Sequence, residues 1–290
     1  MKPAPFAYCA PDSLDEALAL LAEHGEDAQI LAGGQSLVPM LALRMASPSI
    51  IVDINRITKL QHLEETGEAL LVGACVRHAE LLRYALLHPR WRLIADALDE
   101  VAHPGIRNRG TPCGSLALAD PAAEAPAFAI ALGAEIVLAS TRGERRVPAE
   151  AFFLGIYETA REPDEMIVAV SFPVPYPDWR FGFEEIARRK GDYAIAGLCA
   201  GLRVEHERIA EARFVFFGVG DYPVRALQAE DMLAGGDPTD TDLHSAVATA
   251  TMDEIDVSGS VEYDAAYKRR LVGVLARRVL GQLAATGEVT

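Results

Sequence analysis

The chain has 290 residues, of which half are hydrophobic, and it carries a formal net charge of −15. This length exceeds a typical domain of about 100–200 residues, so we expect two or three lobes with cores of their own. The acidic balance excludes a duplex nucleic-acid interface, and no apolar run reaches the roughly 20 residues of a membrane span.

The first lobe is predicted over residues 1–56. Ser13-Leu-Asp-Glu16 has the pattern of a capping box, and the apolar residues after it recur at helical spacing as far as Gly25. The elements that follow are a buried strand over 28–32, a glycine turn over 33–35, a helix that Ser36 is expected to cap, and a strand over 50–54.

The second lobe is predicted over residues 57–175. Asp120-Pro121 has the composition of a helix start, with Asp at the cap and Pro at the first position. The other elements are strands over 70–74, 134–139 and 166–172, helices over 80–87 and 93–101, and a stretch without periodicity over 103–115.

Three prolines within Pro173–Pro177 predict a joint, because proline resists the interior of helices and strands. A third unit over 178–290 is predicted to contain strands over 182–187, 194–204 and 213–218, followed by helices. The N-terminal residues lack an apolar signal core, so we expect a cytoplasmic protein. No cysteine pair or histidine pair has metal-ligand spacing, so we expect no metal site and buried free thiols.

Two loops have the composition of anion-binding turns. Leu31-Ala-Gly-Gly-Gln-Ser-Leu37 places two glycines between a strand and a helix, where backbone N–H groups and the helix dipole favour a phosphate. Taken alone, this motif is more typical of a plain turn, since it matches neither the Rossmann nor the P-loop pattern. Residues 107–124 repeat the arrangement with glycine and hydroxyl residues, and the carboxylates of Asp120 and Glu124 suit sugar hydroxyls. Arg188–Ala194 reads as a charged hairpin turn.

Taken together, LAGGQSLVPMLALR, NRGTPCGSLALADPAAEAP and RRKGDYAIAG resemble the FAD-binding medium subunit of the molybdenum hydroxylases. This is the family of carbon monoxide dehydrogenase and xanthine dehydrogenase, and the resemblance spans nearly the whole chain. It implies an α+β fold, with a two-lobed FAD-binding domain of the PCMH/VAO-like type and a C-terminal domain built on a three-stranded antiparallel sheet and helices. One departure is clear: the second loop reads Thr111-Pro-Cys-Gly114 where the family commonly has T-x-G-G, so its geometry requires a structural test.

The resemblance also implies a set of FAD contacts. Residues 31–37 would hold the pyrophosphate, Thr111, Gly114 and Ser115 the second phosphate and the ribityl chain, and Ile106 and Tyr193 the flavin ring. Asp120 and Glu124 would lie by the sugar hydroxyls and Ile167 by the adenine. The full predicted set is Leu31, Ala32, Gly33, Gly34, Gln35, Ser36, Leu37, Ile106, Gly110, Thr111, Gly114, Ser115, Asp120, Glu124, Ile167, Lys190, Asp192 and Tyr193.

The implied role is electron transfer without a catalytic side chain of this chain. Iron–sulfur (2Fe–2S) clusters of a small subunit would pass electrons from a large subunit with a molybdenum cofactor to the FAD, which would reduce an external acceptor. A dimer of such heterotrimers is expected. Two alternatives stay open: a stand-alone FAD oxidoreductase of the vanillyl-alcohol oxidase or cell-wall reductase type, and a scaffold subunit that has lost its flavin.

Overall fold

The N-terminal part of the chain forms a small parallel sheet flanked by two helices. The computed structural model describes residues 2–285. The elements are β1 (Ala7–Cys9), α1 (Leu14–His24), β2 (Ala28–Leu31), α2 (Leu37–Leu43) and β3 (Ile50–Asp53). The strands pair in the order β1-β3-β2. The predicted strands and helices of this lobe are confirmed.

The capping of these helices differs in detail from the prediction. Ser13 Oγ accepts from the Glu16 N–H at 3.3 Å, but the Glu16 carboxylate binds the Asp12 N–H rather than that of Ser13. Gly25 ends α1 with a φ of +52°. Ser36 does not cap α2 through its side chain, so that prediction is wrong. Its backbone is already helical, whereas a capping serine needs extended dihedrals to place its hydroxyl over the first turn.

A five-stranded antiparallel sheet follows, in the order β4-β5-β10-β6-β7, beside a separate two-stranded hairpin of β8 and β9. The elements are β4 (Leu63–Glu65), β5 (Ala69–Gly73), α3 (His78–Leu87), α4 (Arg92–Glu100), α5 (Pro104–Arg107), α6 (Pro112–Leu118), α7 (Glu124–Ala131), β6 (Glu135–Ser140), β7 (Gly143–Pro148), β8 (Phe153–Gly155), β9 (Glu158–Thr159) and β10 (Met166–Pro173).

The segment between α4 and α7 contains the main correction to the sequence prediction. The stretch 103–115 folds into α5 and the start of α6, although it shows no periodicity. The helix predicted to open at Asp120-Pro121 begins at Glu124 instead. Ala119 ends α6 in the left-handed region (φ +53°), and the Asp120 carboxylate accepts from the Ala122 N–H at 2.9 Å, so Asp120 stabilises a turn rather than a helix end.

The C-terminal part is an antiparallel sheet backed by three helices. Its elements are β11 (Trp179–Ile186), β12 (Ala196–Glu205), β13 (Arg208–Phe217), β14 (Val224–Arg225), α8 (Leu227–Leu233), α9 (Thr241–Glu254) and α10 (Ala265–Ala285). The three long strands are confirmed, and the two-residue β14 adds a fourth. The predicted charged turn lies between β11 and β12, with Gly191 at a φ of +83°.

The core explains how the C-terminal sheet positions the site. Cys199 and Phe217 lie on the sheet face that joins the same hydrophobic cluster as α1, α4 and α7. The opposite face packs against α8, α9 and α10 in a second cluster. The sheet is therefore held against the N-terminal part of the chain by buried apolar contacts. Within residues 2–285, no helix has both the length and the apolar character needed to cross a bilayer.

Candidate functional site

A cavity of about 610 Å³ lies where the two loops and the β11–β12 turn converge. This volume falls within the range of about 300–1,000 Å³ that is usual for cofactor and ligand clefts. Apart from Leu31 and Lys190, the predicted site residues all line it: Ala32, Gly33, Gly34, Gln35, Ser36, Leu37, Ile106, Gly110, Thr111, Gly114, Ser115, Asp120, Glu124, Ile167, Asp192 and Tyr193.

The first loop, residues 32–37, is a turn that only glycine can build at two positions. Gly34 has a φ of +72°, a region that residues with a Cβ rarely adopt. A Cβ on Gly33 would lie 2.4 Å from the backbone oxygen of Arg109. Within residues 2–285, the backbone N–H groups of 33–37 have no hydrogen-bond acceptor. A run of free amides before a helix, facing a cavity, has the geometry of an anion-binding loop.

The second loop, residues 110–115, is built differently. The Thr111 hydroxyl caps α6 by accepting from the Gly114 N–H at 3.0 Å. Pro112 takes the first helical position, where a backbone N–H would have no partner inside the helix. Cys113 is helical and 3% exposed, and its thiol lies 3.7 Å from the Val72 oxygen. The departure from T-x-G-G is therefore compatible with an intact loop, because no positive φ occurs at either position.

The carboxylates predicted beside the sugar hydroxyls lie on one wall of the cavity. Glu124, at the start of α7, is 8% exposed. Burial, together with the nearby Asp120 and Glu100 carboxylates, raises the pKa of Glu124 to about 7. The Asp120 carboxylate also accepts from the Tyr157 hydroxyl at 3.4 Å. This wall offers hydrogen-bond acceptors, and the Glu124 carboxyl holds a proton near neutral pH.

The turn between β11 and β12 closes the other side of the cavity. Gly191 packs against Ala102, since a Cβ there would lie 2.4 Å from the Ala102 oxygen. The Tyr193 side chain is exposed to solvent and lines the cavity. Asp192 also lines it and pairs with Arg189 at 3.1 Å.

Two predicted residues do not reach the cavity. Lys190 turns away from it and pairs with Asp99 at 2.6 Å and with Glu100 at 3.3 Å, which ties the turn to α4. Leu31, the last residue of β2, contributes its carbonyl to the Ile54 N–H at 3.1 Å. Both therefore hold the walls of the cavity rather than face into it.

Two further residues that line the cavity, His78 and Arg161, were not predicted from the sequence. His78 is 5% exposed, and its Nδ1 has no partner within residues 2–285. Burial, and secondarily Arg107, lowers the pKa of His78 to about 4, so this ring is neutral at physiological pH. Arg161 reaches the cavity while donating to the Glu165 oxygen at 2.8 Å. Neither residue belongs to a recognisable sequence motif, and tertiary contacts bring each of them to the cavity.

The described residues of the cavity do not include a cluster of metal ligands. Residues 2–285 contain no cluster of three or more His, Cys, Asp or Glu side chains placed to hold a metal ion. The cysteines are free, with Cys75, Cys113 and Cys199 buried and Cys9 half-buried. The pKa of the Cys75 thiol is raised to about 11 by burial, so this residue is an inert part of the core.

Known proteins match this chain over nearly its whole length. A family model described as "FAD binding domain in molybdopterin dehydrogenase" matches residues 4–175. A second, described as "CO dehydrogenase flavoprotein C-terminal domain", matches residues 181–283. Caffeine dehydrogenase subunit beta of Pseudomonas sp. (strain CBB1) is 38% identical over 285 residues, which are 98% of this chain and 96% of that protein.

Solved structures agree with these matches. A chain of carbon monoxide dehydrogenase from Hydrogenophaga pseudoflava superposes with a TM-score of 0.94 at 36% identity, covering 98% of this chain and 99% of that one. A chain of quinoline 2-oxidoreductase from Pseudomonas putida 86 gives a TM-score of 0.93 at 35% identity, and the match covers both chains fully. The similarity therefore extends through both matched regions and the joint between them.

Proposed function

Because this chain belongs to the family of FAD-binding medium subunits of the molybdenum hydroxylases, we propose that residues 32–37 and 110–115 together hold the pyrophosphate of one FAD. The chain is an FAD-binding electron-transfer subunit of a multi-subunit oxidoreductase. Bound FAD supplies the redox chemistry, and the protein binds it, orients it and keeps water from parts of it.

The observation that supports the proposed site most directly is the first loop. Five successive backbone N–H groups lack acceptors within residues 2–285 there, and their residues line a cavity of suitable volume at the start of α2. In the second loop the Gly114 and Ser115 N–H groups are both bonded to Thr111, whereas the Thr111 and Cys113 N–H groups have no acceptor within residues 2–285. The first loop therefore supplies most of the free donors that a pyrophosphate would need, and the second loop adds two.

The other residues that line the cavity would contact different parts of the cofactor. Asp120 and Glu124 accept from sugar hydroxyls, with the protonated form of Glu124 also able to donate. Ile106 and Tyr193 lie against the flavin ring, and Ile167 lies on the adenine side. Asp192 would approach the flavin from the same turn as Tyr193. Lys190 acts indirectly, by fixing that turn to α4.

The division of the chain into 1–56, 57–175 and 178–290 is part of the same proposal. So is a dimer of heterotrimers in which a small subunit carries 2Fe–2S clusters and a large subunit carries the molybdenum cofactor, and so is the cytoplasmic location. Names such as "medium chain" among relatives that match over almost their entire length support partner subunits. They favour a subunit over a stand-alone oxidase. The free amides of the first loop favour a flavin-binding chain over a scaffold.

The test is purification of the chain with and without its partner subunits. We expect one FAD per chain in both preparations, and reduction of that FAD by an organic substrate only when an iron–sulfur subunit and a molybdenum subunit are present. Substrate-dependent bleaching of the lone chain would support the stand-alone oxidase instead. A chain that binds no FAD at saturation would support the scaffold.

A further inference from the structure

The first loop is anchored from behind by a side chain outside the cavity. Asn55, just after β3, donates through Nδ2 to the Ala32 oxygen at 2.9 Å and to Asp53 Oδ1 at 2.6 Å. Its own backbone N–H donates to the same carboxylate oxygen at 3.0 Å, and the Tyr8 hydroxyl donates to the other oxygen at 2.6 Å. Asn55 is thus fixed by the end of β3 and in turn fixes the Ala32 carbonyl.

The same asparagine is linked to the second loop. Arg77, at the N-cap of α3, donates through Nη2 to Asn55 Oδ1 at 2.6 Å and through Nη1 to the Arg109 oxygen at 2.8 Å. The guanidinium is planar and always charged, so it holds these two acceptors at a fixed separation. A continuous chain of hydrogen bonds therefore runs from Ala32 through Asn55 and Arg77 to Arg109.

This chain of hydrogen bonds acts on the peptide plane that carries the free Gly33 amide. In a trans peptide the C=O and the following N–H point in opposite directions, and no described peptide bond is cis. Holding the Ala32 oxygen toward Asn55 therefore turns the Gly33 N–H the other way, where no protein acceptor meets it. The Arg109 oxygen held by Arg77 is also the atom that a Cβ on Gly33 would meet most closely, at 2.4 Å.

We propose that Asn55 and Arg77 are positioning residues that set the separation of the two loops and the direction of the Gly33 amide for a pyrophosphate. Neither residue lines the cavity, so each acts through the carbonyl it holds. This inference rests on the proposed FAD site. Part of the affinity for FAD would then depend on the hydrogen bonds of Asn55 and Arg77 outside the cavity, in addition to the glycines that line it.

The test compares Arg77→Met and Asn55→Ala with Arg83→Met. Arg83 lies on helix α3, which Arg77 precedes, and within residues 2–285 its side chain donates only to the Ala79 oxygen, so it is the matched control. We expect each of the two variants to raise the Kd for FAD about tenfold, since hydrogen bonds from a charged or fixed donor are lost. The double variant should weaken binding little more than either single one, because both break one chain.

Two readouts separate positioning from a general structural role. The thermal midpoint of flavin-free protein should stay near that of Arg83→Met, and amide hydrogen exchange with FAD bound should quicken at 32–37 but not in β12. Arg77→Lys, which keeps the charge without the fork, should recover only part of the affinity. Unchanged FAD affinity, or a loss that follows flavin-free stability or spreads to β12, would overturn the inference. If wild-type protein binds no FAD, the proposed function itself fails.

Discussion

The two loops of the cavity face the same space but place different demands on the sequence. Residues 32–37 require a residue without a Cβ at position 33 and a positive φ at Gly34. Residues 110–115 instead pass from α5 into α6, with Thr111 as a cap and Pro112 in the first turn. An irregular turn is specified residue by residue, whereas a helix start accepts any residue that is helical and fits the core. This explains why Pro112 and Cys113 are tolerated in the second loop.

The largest effect is expected from Gly33→Ala. The new Cβ would lie 2.4 Å from the Arg109 oxygen and 2.6 Å from the Gly110 Cα, so one loop must move away from the other. We expect the Kd for FAD to rise about a hundredfold, equivalent to about 2.7 kcal/mol. Flavin fluorescence titration measures it. Gly67→Ala is the control, since a Cβ there meets nothing within 4 Å, and a similar loss in both variants would contradict this account.

The second loop is tested by Cys113→Gly, which introduces the glycine that the T-x-G-G pattern has at this position. Because Cys113 is helical and buried, we expect the free energy of unfolding to fall by about 1–3 kcal/mol while FAD affinity stays within about twofold. Cys113→Ala keeps the Cβ, so its free energy of unfolding should be about 1 kcal/mol higher than that of Cys113→Gly. Chemical denaturation gives both values. Tighter FAD binding by the glycine variant would show that the second loop, too, depends on backbone freedom.

Glu124, which follows the second loop, acts electrostatically on Glu185 of β11, so pH should probe this side of the cavity. Both oxygens of Glu185, on β11, are buried without a partner within residues 2–285. Burial, then the Glu124 and Glu100 carboxylates, raises the pKa of Glu185 to about 8, against the opposing effect of Lys190. The folded protein therefore holds protons that the unfolded chain releases from about pH 4.5, so stability falls as pH rises toward 8.

The check is the thermal midpoint of flavin-free protein between pH 5 and pH 8. Glu185→Gln keeps the shape of the protonated side chain and cannot ionise, so it should flatten the decline. Glu184→Gln is the control, because Glu184 lies next to Glu185 but pairs at the surface with Arg278. A decline that is equally steep in Glu185→Gln would show that this carboxyl is not the group responsible.

The smallest effect is expected from Lys190→Met. Its pairs with Asp99 and Glu100 are solvent-exposed, and such pairs contribute about 0–1 kcal/mol. FAD affinity should change less than about threefold. The companion variant Asp99→Asn should behave alike, as measured by the same fluorescence titration. A tenfold loss in Lys190→Met alone would mean that the ammonium group contacts the cofactor directly.

The parts of the site that sequence could predict are those in which the local backbone specifies the residue. Gly33 and Gly34 are required by the turn they occupy, and Gly191 by the turn before Tyr193. The strands and the long helices follow from periodicity for the same local reason. The Asp120-Pro121 pattern misled because a left-handed Ala119 delays the next helix, and alanine carries no signal for that conformation.

Other features depend on partners far away in the chain. Lys190 points to Asp99 and Glu100, and Arg77 to Asn55 and Arg109, so the direction of each side chain is set by folding. The burial of His78 under Gly110 is a further case, since the Cδ2 atom of its ring lies 2.9 Å from where a Cβ on Gly110 would be. Spacing along the chain contains no information about such contacts.

The most direct test of the central claim is equilibrium titration of flavin-free chain with FAD, followed by flavin absorbance, beside the same titration of Gly33→Ala. We predict saturation at one FAD per wild-type chain and a much weaker curve for the variant. Saturation of both proteins with equal affinity, or a wild-type chain that stays colourless in excess FAD, would contradict the assignment of the two loops as the cofactor site.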